Sequence, residues 1–492
     1  MVPTEQRTPR YRALADRIQQ AIADGVYEPG ERVASIRQFA DSFDASINTL
    51  RAAFSLLQDR GVLETRPRAG TFVVSRPTWS DECDYVDDLV DAVIEEYACR
   101  SAQVRVTAPM DVAVLPPELV PESRIHAAVR AVAQRSHPLL TGYATFDRTM
   151  ELRSRISQWE LVHGTAVSPD QLVLASSIEL AMMQLLVLLN PARNPVAVQS
   201  PTYYGHLTIL RTLGMPVFEL PVAADGSFSV ARLADAVNRE QIALAVLDTS
   251  VHNPTGTSVP DHLLNEIAGL TAQGRLTVIE YGMLRDMRFG AGESPPLYNR
   301  APSGSVFLCS SYAETLVPSI KAAWVAAGSR ASFVRDRWLA TACFVSALEL
   351  SVLEQLLSSR DIRRQQERIR GVVGTSMREA AELVRATFPR GTLVQHPSGG
   401  FALWVKLPGG ISGRRVFRAA RDRGIAIAPG AMFARHPDDY DNHIRIAPGV
   451  LTAAKRRAIQ QLATIIASRE VTASDPSAVV HSRPGSLPVV NQ

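Results

Sequence analysis

Residues 33–73 read V-A-S-I-R-Q-F-A-D-S-F-D-A-S-I-N-T-L-R-A-A-F-S-L-L-Q-D-R-G-V-L-E-T-R-P-R-A-G-T-F-V, from Val33 to Val73. Ser35 is placed to cap a first helix, whose Ile36, Phe39, Ala40 and Phe43 recur at three- and four-residue spacing and share one face. After a break at Asp44 and Ala45, Ser46 is placed to cap a second helix with Leu50, Ala53, Phe54 and Leu57 turned inward. The other face of that helix shows Asn48, Thr49 and Arg51, side chains suited to base edges and phosphates. Residues 62–64 and 71–74 then read as two strands, joined by a turn with Arg66 and Arg68 at its tip and Gly70 at its end. Two short helices followed by a tight basic hairpin make a winged helix-turn-helix.

The span from about residue 9 to 77 resembles the GntR family of bacterial DNA-binding domains. The resemblance is carried by an opening helix over 11–24, the Pro29-Gly30-Glu31-Arg32 turn, Arg37, the Thr49-Leu50-Arg51 triplet and the Ala69-Gly70-Thr71-Phe72-Val73 wing. It implies that Arg37 and Arg51 hold phosphates of a double-stranded operator. The start of the second helix, with Ser46, Asn48 and Thr49, would enter the major groove, and the wing tip, with Arg66, Arg68 and Gly70, the adjacent minor groove. Ile47 departs from the family, many of whose members carry a base-reading arginine there, and this leaves the preferred operator open.

The chain has 492 residues, too many for one core, so two or three domains are expected. With 46% hydrophobic residues and no run of eighteen apolar ones it reads as a globular cytoplasmic protein, and the polar start predicts neither a membrane span nor a secretory signal. Cys83, Cys99, Cys309 and Cys343 are scattered without metal-ligand spacing and read as ordinary thiols; no metal site is expected. The net charge of +3 is mild, so a nucleic-acid surface must come from a local cluster such as the wing and helix face. Lysine occurs three times, at Lys321, Lys406 and Lys455, and every other fixed cation is arginine.

Residues 78–107 form an acidic linker with Asp81, Glu82, Asp84, Asp87, Asp88, Asp91, Glu95 and Glu96. From 108 to 469 short β-rich runs alternate with helical patterns: strands over 172–174, 195–198, 242–247, 276–279 and 305–309, with helices over 178–189 and 204–212 after the first two. That alternation predicts a buried, mostly parallel sheet. A long helical stretch over 338–388 precedes strands at 392–395, 401–405 and 443–446, which suggest a smaller α+β subdomain over about 370–469. Residues 470–492 lack periodicity and read as a disordered tail.

The short motifs of this second region resemble those of fold-type I aminotransferases, which bind pyridoxal phosphate (PLP). They are Ser200-Pro201-Thr202-Tyr203-Tyr204-Gly205, His252-Asn253-Pro254-Thr255-Gly256, the segment 312–324 and His443-Ile444-Arg445. Behind a winged helix they make the chain resemble a MocR-type regulator. The fold expected is therefore multidomain, a winged helix-turn-helix plus a fold-type I PLP-transferase-like α/β domain with a smaller C-terminal α+β subdomain.

PLP chemistry needs a lysine for the internal aldimine, an acid facing the pyridine nitrogen, donors for the phosphate and an arginine for the substrate carboxylate. Aligned with the family's S-K-T-L-x-P-x-x-R segment, Glu314 stands at the lysine position, and a carboxylate cannot form a Schiff base. Tyr281 replaces the acid, Met283 the ring-oxygen tyrosine, and Ala175-Ser176-Ser177-Ile178 the usual S-G-S-Q turn. The resemblance still implies cofactor contacts for Tyr203, which would stack on the ring, Asn253, which would meet its oxygen, and Lys321, which stands where a phosphate-binding arginine is usual. Asn253 and Tyr203 have equally good structural readings, as loop former and cleft filler. Arg445 matches the carboxylate clamp, for which Glu314 is one candidate internal partner. Lys321, seven residues after Glu314, would lie roughly 10 Å away if the segment were helical, and Lys406 and Lys455 are expected on the surface.

These residues point to a DNA-binding regulator with no catalytic residue, in which the aminotransferase-like domain supports a homodimer and a cleft for a small carboxylate or amino-acid effector at Arg445. A regulator that retains PLP non-covalently, a working aminotransferase, and a ligand-free scaffold stay open at this point.

Overall fold

In a computed structural model the chain forms two compact units divided between Tyr85 and Val86. The structure describes residues 10–23, 26–27, 31–43, 45–59, 62–66, 70–73, 106–134, 144–290, 295–341, 345–468 and 471. The linker up to residue 105, the tail apart from residue 471, the wing-tip residue Arg68, and Cys83, Cys99 and Cys343 lie outside these residues.

In the first unit, α1 (Arg10–Ala23), α2 (Ile36–Phe43) and α3 (Ile47–Asp59) precede the antiparallel wing strands β1 (Leu63–Arg66) and β2 (Gly70–Val73), paired from Leu63 with Val73 to Arg66 with Gly70. Both predicted caps are present. Ser35 and Gln38 form a reciprocal capping box, each accepting the other's backbone N–H, and Ser46 Oγ accepts the Thr49 N–H at 3.2 Å. The apolar faces of the helices close on one another around Leu14, Ile18, Phe39, Leu50, Ala53, Phe54 and Leu57. The Phe39 ring is stacked on Phe43 and meets Phe54 edge-on at 5.5 Å. The Glu31-Arg32 part of the expected turn instead extends the wing: Val33 donates to the Thr71 carbonyl and Val73 to that of Glu31.

In the second unit a seven-stranded sheet has the order β4-β10-β9-β8-β7-β5-β6. Its strands are β4 (Leu172–Ala175), β5 (Val196–Ser200), β6 (Val217–Pro221), β7 (Leu244–Leu247), β8 (Thr277–Tyr281), β9 (Val306–Ser311) and β10 (Ala323–Ala326). β10 runs against both its neighbours and the other six strands run together. The helices Ile178–Leu189 and Tyr204–Thr212 fall where the sequence places them. The predicted stretch over 338–388 is broken into Ala331–Ala340, Ala347–Leu357 and Arg360–Thr387, because Ser346 caps the second helix and Ser358-Ser359 interrupts before the third.

The C-terminal part is an antiparallel sheet β11-β12-β15-β14 built from Leu393–Val394, Leu403–Lys406, His443–Ile446 and Ala428–Pro429. A short parallel pair joins β3 (Ala108–Pro109) to β13 (Ile425–Ala426). The stretch that follows the linker is thereby sewn to the C-terminal part, with Met110 donating to the Ala426 carbonyl and accepting from Ala447 N–H.

Candidate functional site

The first unit presents its polar face at the start of α3. Ile47, Asn48 and Arg51 are exposed, whereas the Thr49 hydroxyl turns back onto Ser46 Oγ at 2.8 Å. Ser46 and Thr49 therefore build the cap, and Asn48 and Arg51 are the predicted DNA-facing residues of this helix left pointing outward. Arg37 lies in α2 and Arg66 closes β1, but their side chains lie outside the described residues. Gly70 has φ +117°, and a Cβ there would stand 2.6 Å from Arg32 Nε, so the wing turn needs glycine.

In the second unit, the sheet's strand ends, the Asn253 turn and β15 bring Tyr203, Asn253, Tyr281, Met283 and Arg445 into one region. Arg445 is buried on β15. Its Nη1 donates to Asn253 Oδ1 at 2.9 Å, its Nη2 to the Asp111 carbonyl at 2.6 Å, and its guanidinium carbon sits 4.7 Å from the Phe433 ring centre. Asn253 and Asp111 are thus partners of Arg445 that the sequence did not point to. Asp111 was invisible to residue-type reasoning because it contributes a backbone carbonyl.

The Asn253-Pro254-Thr255-Gly256 turn is held by its own hydrogen bonds. Gly256 donates to the His252 carbonyl, His252 Nδ1 meets Thr255 Oγ1 at 2.8 Å, and the Asn253 N–H donates to Asp248 Oδ2. Gly256 has φ +71° and would drive a Cβ to 2.7 Å from Pro397 Cβ. A cavity of about 10 Å³ beside it, lined in part by Val251, Asn253, Leu284 and Phe401, has room for about one water.

Tyr281 ends β8 as a buried phenol. Its ring lies 6.5 Å from the Tyr203 ring at 25° and 4.5 Å from the His206 ring, edge-on. Its hydroxyl donates to Glu179 Oε1 at 3.4 Å and lies 3.7 Å from Met283 Sδ. Burial, with Glu179 next, pushes the Tyr281 hydroxyl well up, and burial beside His252 holds His206 down at about 3, so both are neutral. Glu179 lies in the first turn of the Ile178–Leu189 helix, where a carboxylate is favoured, and Ser177 caps that helix by accepting the Leu180 N–H.

Glu314 is nearly buried; its backbone carbonyl accepts the Leu115 N–H. Burial, then the neighbouring Glu179, raise its carboxyl above the ordinary carboxylate range, and Lys321 pulls it down. The segment 312–322 is a series of turns and not a helix, so the expected separation of Lys321 does not arise: its ammonium lies 3.8 Å from Glu314 Oε1, with the lysine side chain largely in solvent. Lys406 is exposed, but Lys455 is buried, against expectation, because its ammonium reaches the Pro448 carbonyl at 2.6 Å.

At Tyr281, Met283 and Glu314 the side chains differ in chemistry from those that the resemblance implies for PLP. Tyr281, at the position where the resemblance implies an acid for the pyridine nitrogen, is a neutral phenol whose ring lies 6.5 Å from that of Tyr203. Glu314, which the resemblance aligns with the cofactor lysine, has Glu179 as a neighbouring like charge, and Ser177 Oγ accepts the Leu180 N–H. Among the described residues no group of three or more His, Cys, Asp or Glu could hold a metal ion, and no helix is long and apolar enough to cross a membrane.

A buried network that the sequence did not reveal lies nearby. Arg285 donates to Glu160 Oε2 and Thr165 Oγ1, and Tyr312 donates to Glu160 Oε1 at 2.8 Å. It joins the Met150–Val162 helix to the loops after β8 and β9 through residues more than a hundred positions apart.

Residues 117–462 match the family described as aminotransferase class I and II, and residues 10–73 match bacterial regulatory proteins of the gntR family. The chain is 25% identical over 470 residues to the HTH-type transcriptional regulator YjiR of Escherichia coli, covering 92% of this chain and 98% of that protein. It is 21% identical to the probable rhizopine catabolism regulatory protein MocR of Rhizobium meliloti, covering 95% and 96%. The α-aminoadipate aminotransferase LysN of Thermus thermophilus superposes with a TM-score of 0.66 at 20% identity, over 78% of this chain and 96% of that one, which shows the shared fold. The chain belongs to the aminotransferase class I and II family and carries a gntR-family regulatory domain at its N-terminus, the MocR-type arrangement.

Proposed function

We propose that the chain is a DNA-binding transcriptional regulator whose aminotransferase-like unit supports a homodimer and senses a small effector, without transamination. The observation that carries this reading is position 314: a nearly buried carboxylate, ion-paired with Lys321, where the family's chemistry requires an amine. The Tyr281 ring against Tyr203 supports it independently. The test is an absorbance titration of the purified protein with PLP, followed by borohydride reduction and peptide mapping. The expected result is no trapped adduct; an adduct on Lys321 would overturn the reading and return the protein to PLP-based sensing.

The effector suited to the cleft is a small carboxylate or amino acid. Arg445 donates to an amide oxygen and a backbone carbonyl, and a ligand carboxylate would offer its guanidinium a charge-assisted bidentate pair. A ligand carboxylate that takes both Nη atoms of Arg445 would replace the Asn253 and Asp111 acceptors there, so binding and local movement would go together. DNA affinity measured across a panel of amino acids and small carboxylates checks this. Arg445→Ala is expected to abolish the response, and an unchanged response removes Arg445 from the account.

A further inference from the structure

The start of α3 presents an apolar side chain among polar ones. Ile47, the first residue after the Ser46 cap, is 43% exposed and belongs neither to the buried cluster of its unit nor to the half-buried side chains packed on that cluster. At about 100° per residue, Arg51 lies roughly 40° and Asn48 roughly 100° from Ile47 around the helix. The buried Phe54, Leu50, Leu57 and Ala53 lie on the other side of Ile47, at roughly 20° to 120° from it, so Ile47 stands at the edge where the buried face meets the polar one. Ile47, Arg51 and Asn48 thus form one outward strip at the helix N-terminus. The hydroxyls of Ser46 and Thr49 are tied to each other in the cap and leave that strip to these three.

A single exposed isoleucine needs no explanation on a general surface. On this strip it does, because the edges of the bases in the major groove offer donors, acceptors and one apolar group, the 5-methyl of thymine. Isoleucine can neither donate to the O6 and N7 acceptors of guanine, as arginine does, nor accept from cytosine. Its complement is the methyl. Asn48 beside it carries the amide that pairs with N6 and N7 of adenine, so the two neighbours suit the same class of base pair. Arg51, one turn further on, suits a phosphate.

We propose that Ile47 is a specificity-determining residue that packs on the 5-methyl group of a thymine and fixes an A·T pair in each operator half-site. This rests on the DNA-binding role of the winged helix. The test uses the full chain. Duplexes are selected from a randomised library by the wild-type protein, and the thymines of the selected site are replaced one at a time by deoxyuridine, which removes the methyl and leaves the protein untouched. Wild type is expected to select an invariant thymine whose replacement weakens binding roughly four-fold per half-site, the effect of one buried methyl group. Ile47→Ala is expected to lose that sensitivity, and Ile47→Arg to select guanine at the same position. The proposal is overturned if no deoxyuridine replacement weakens wild-type binding, or if Ile47→Ala selects the same base with the same sensitivity. Failure to enrich any duplex would instead sink the DNA-binding reading, and the proposal with it.

Discussion

In the proposed reading, Tyr281 and Glu314 are the two residues that set the cleft apart from a PLP site. One puts an aromatic ring against Tyr203, and the other puts a carboxylate beside Lys321. Restoring an acid and an amine should therefore restore the cofactor. The double variant Tyr281→Asp, Glu314→Lys is expected to gain an absorbance band with PLP and a borohydride adduct on the peptide containing position 314. The new amine would stand close to the Lys321 ammonium, a like charge that favours its neutral, nucleophilic form. A double variant as colourless as the wild type would show that other residues close the cleft.

Glu314 also sets a pH dependence. Its carboxyl is raised above 4.5, chiefly by burial, so the folded protein holds that proton more tightly than the unfolded chain does. The associated stability is fully present below the ordinary carboxylate value and is lost as pH rises through the raised one. Glu314→Gln removes this loss. Its denaturant midpoint should rise relative to wild type between acidic and neutral pH, and a constant difference would contradict the assignment.

Among the elements, the Glu160–Arg285 pair carries the clearest prediction. Both side chains are buried, and breaking such a pair by removing one partner costs about 3–5 kcal/mol, so Arg285→Met should lower the denaturant midpoint accordingly. A loss under about 1 kcal/mol would mean that solvent reaches the glutamate.

The sequence shows its elements where local pattern and packing agree. β5, β7, β8 and β9 are legible as continuous apolar runs because both faces of the sheet are covered. The Ile178–Leu189 helix is legible from its cap and length. β6 escapes notice because Val217–Pro221 ends in proline at an edge, where no inner ladder requires the missing N–H. β10 escapes notice because it begins at the end of the 312–324 segment, whose residues read as a motif. Of the site, the altered residue types could be read directly. Lys321 curling back on Glu314, Lys455 turning inward and Arg445 bonding to a backbone carbonyl could not, because each depends on a long side chain or main-chain atom meeting a distant partner.

For the molecule as a whole, a net charge of +3 cannot supply broad attraction to DNA, so affinity must depend on a few local contacts. Replacing exposed Arg51 by alanine should weaken binding to all duplexes alike. It should also reduce the slope of log affinity against log salt by about one for each phosphate that Arg51 neutralises. Fluorescence anisotropy at several salt concentrations measures this; a change in base preference without a change in slope would make Arg51 a base reader.

Residues 107–115 give the cleft a mechanical connection. Thr107 and Met110 are bonded to 424 and 426, the Asp111 carbonyl to Arg445, and the Leu115 N–H to Glu314. Covalently, this is the stretch onto which the linker from the DNA-binding unit runs. Under the proposed effector reading, a ligand that displaces the Asp111 carbonyl from Arg445 would therefore act on the stretch that leads back, in sequence, to the winged helix.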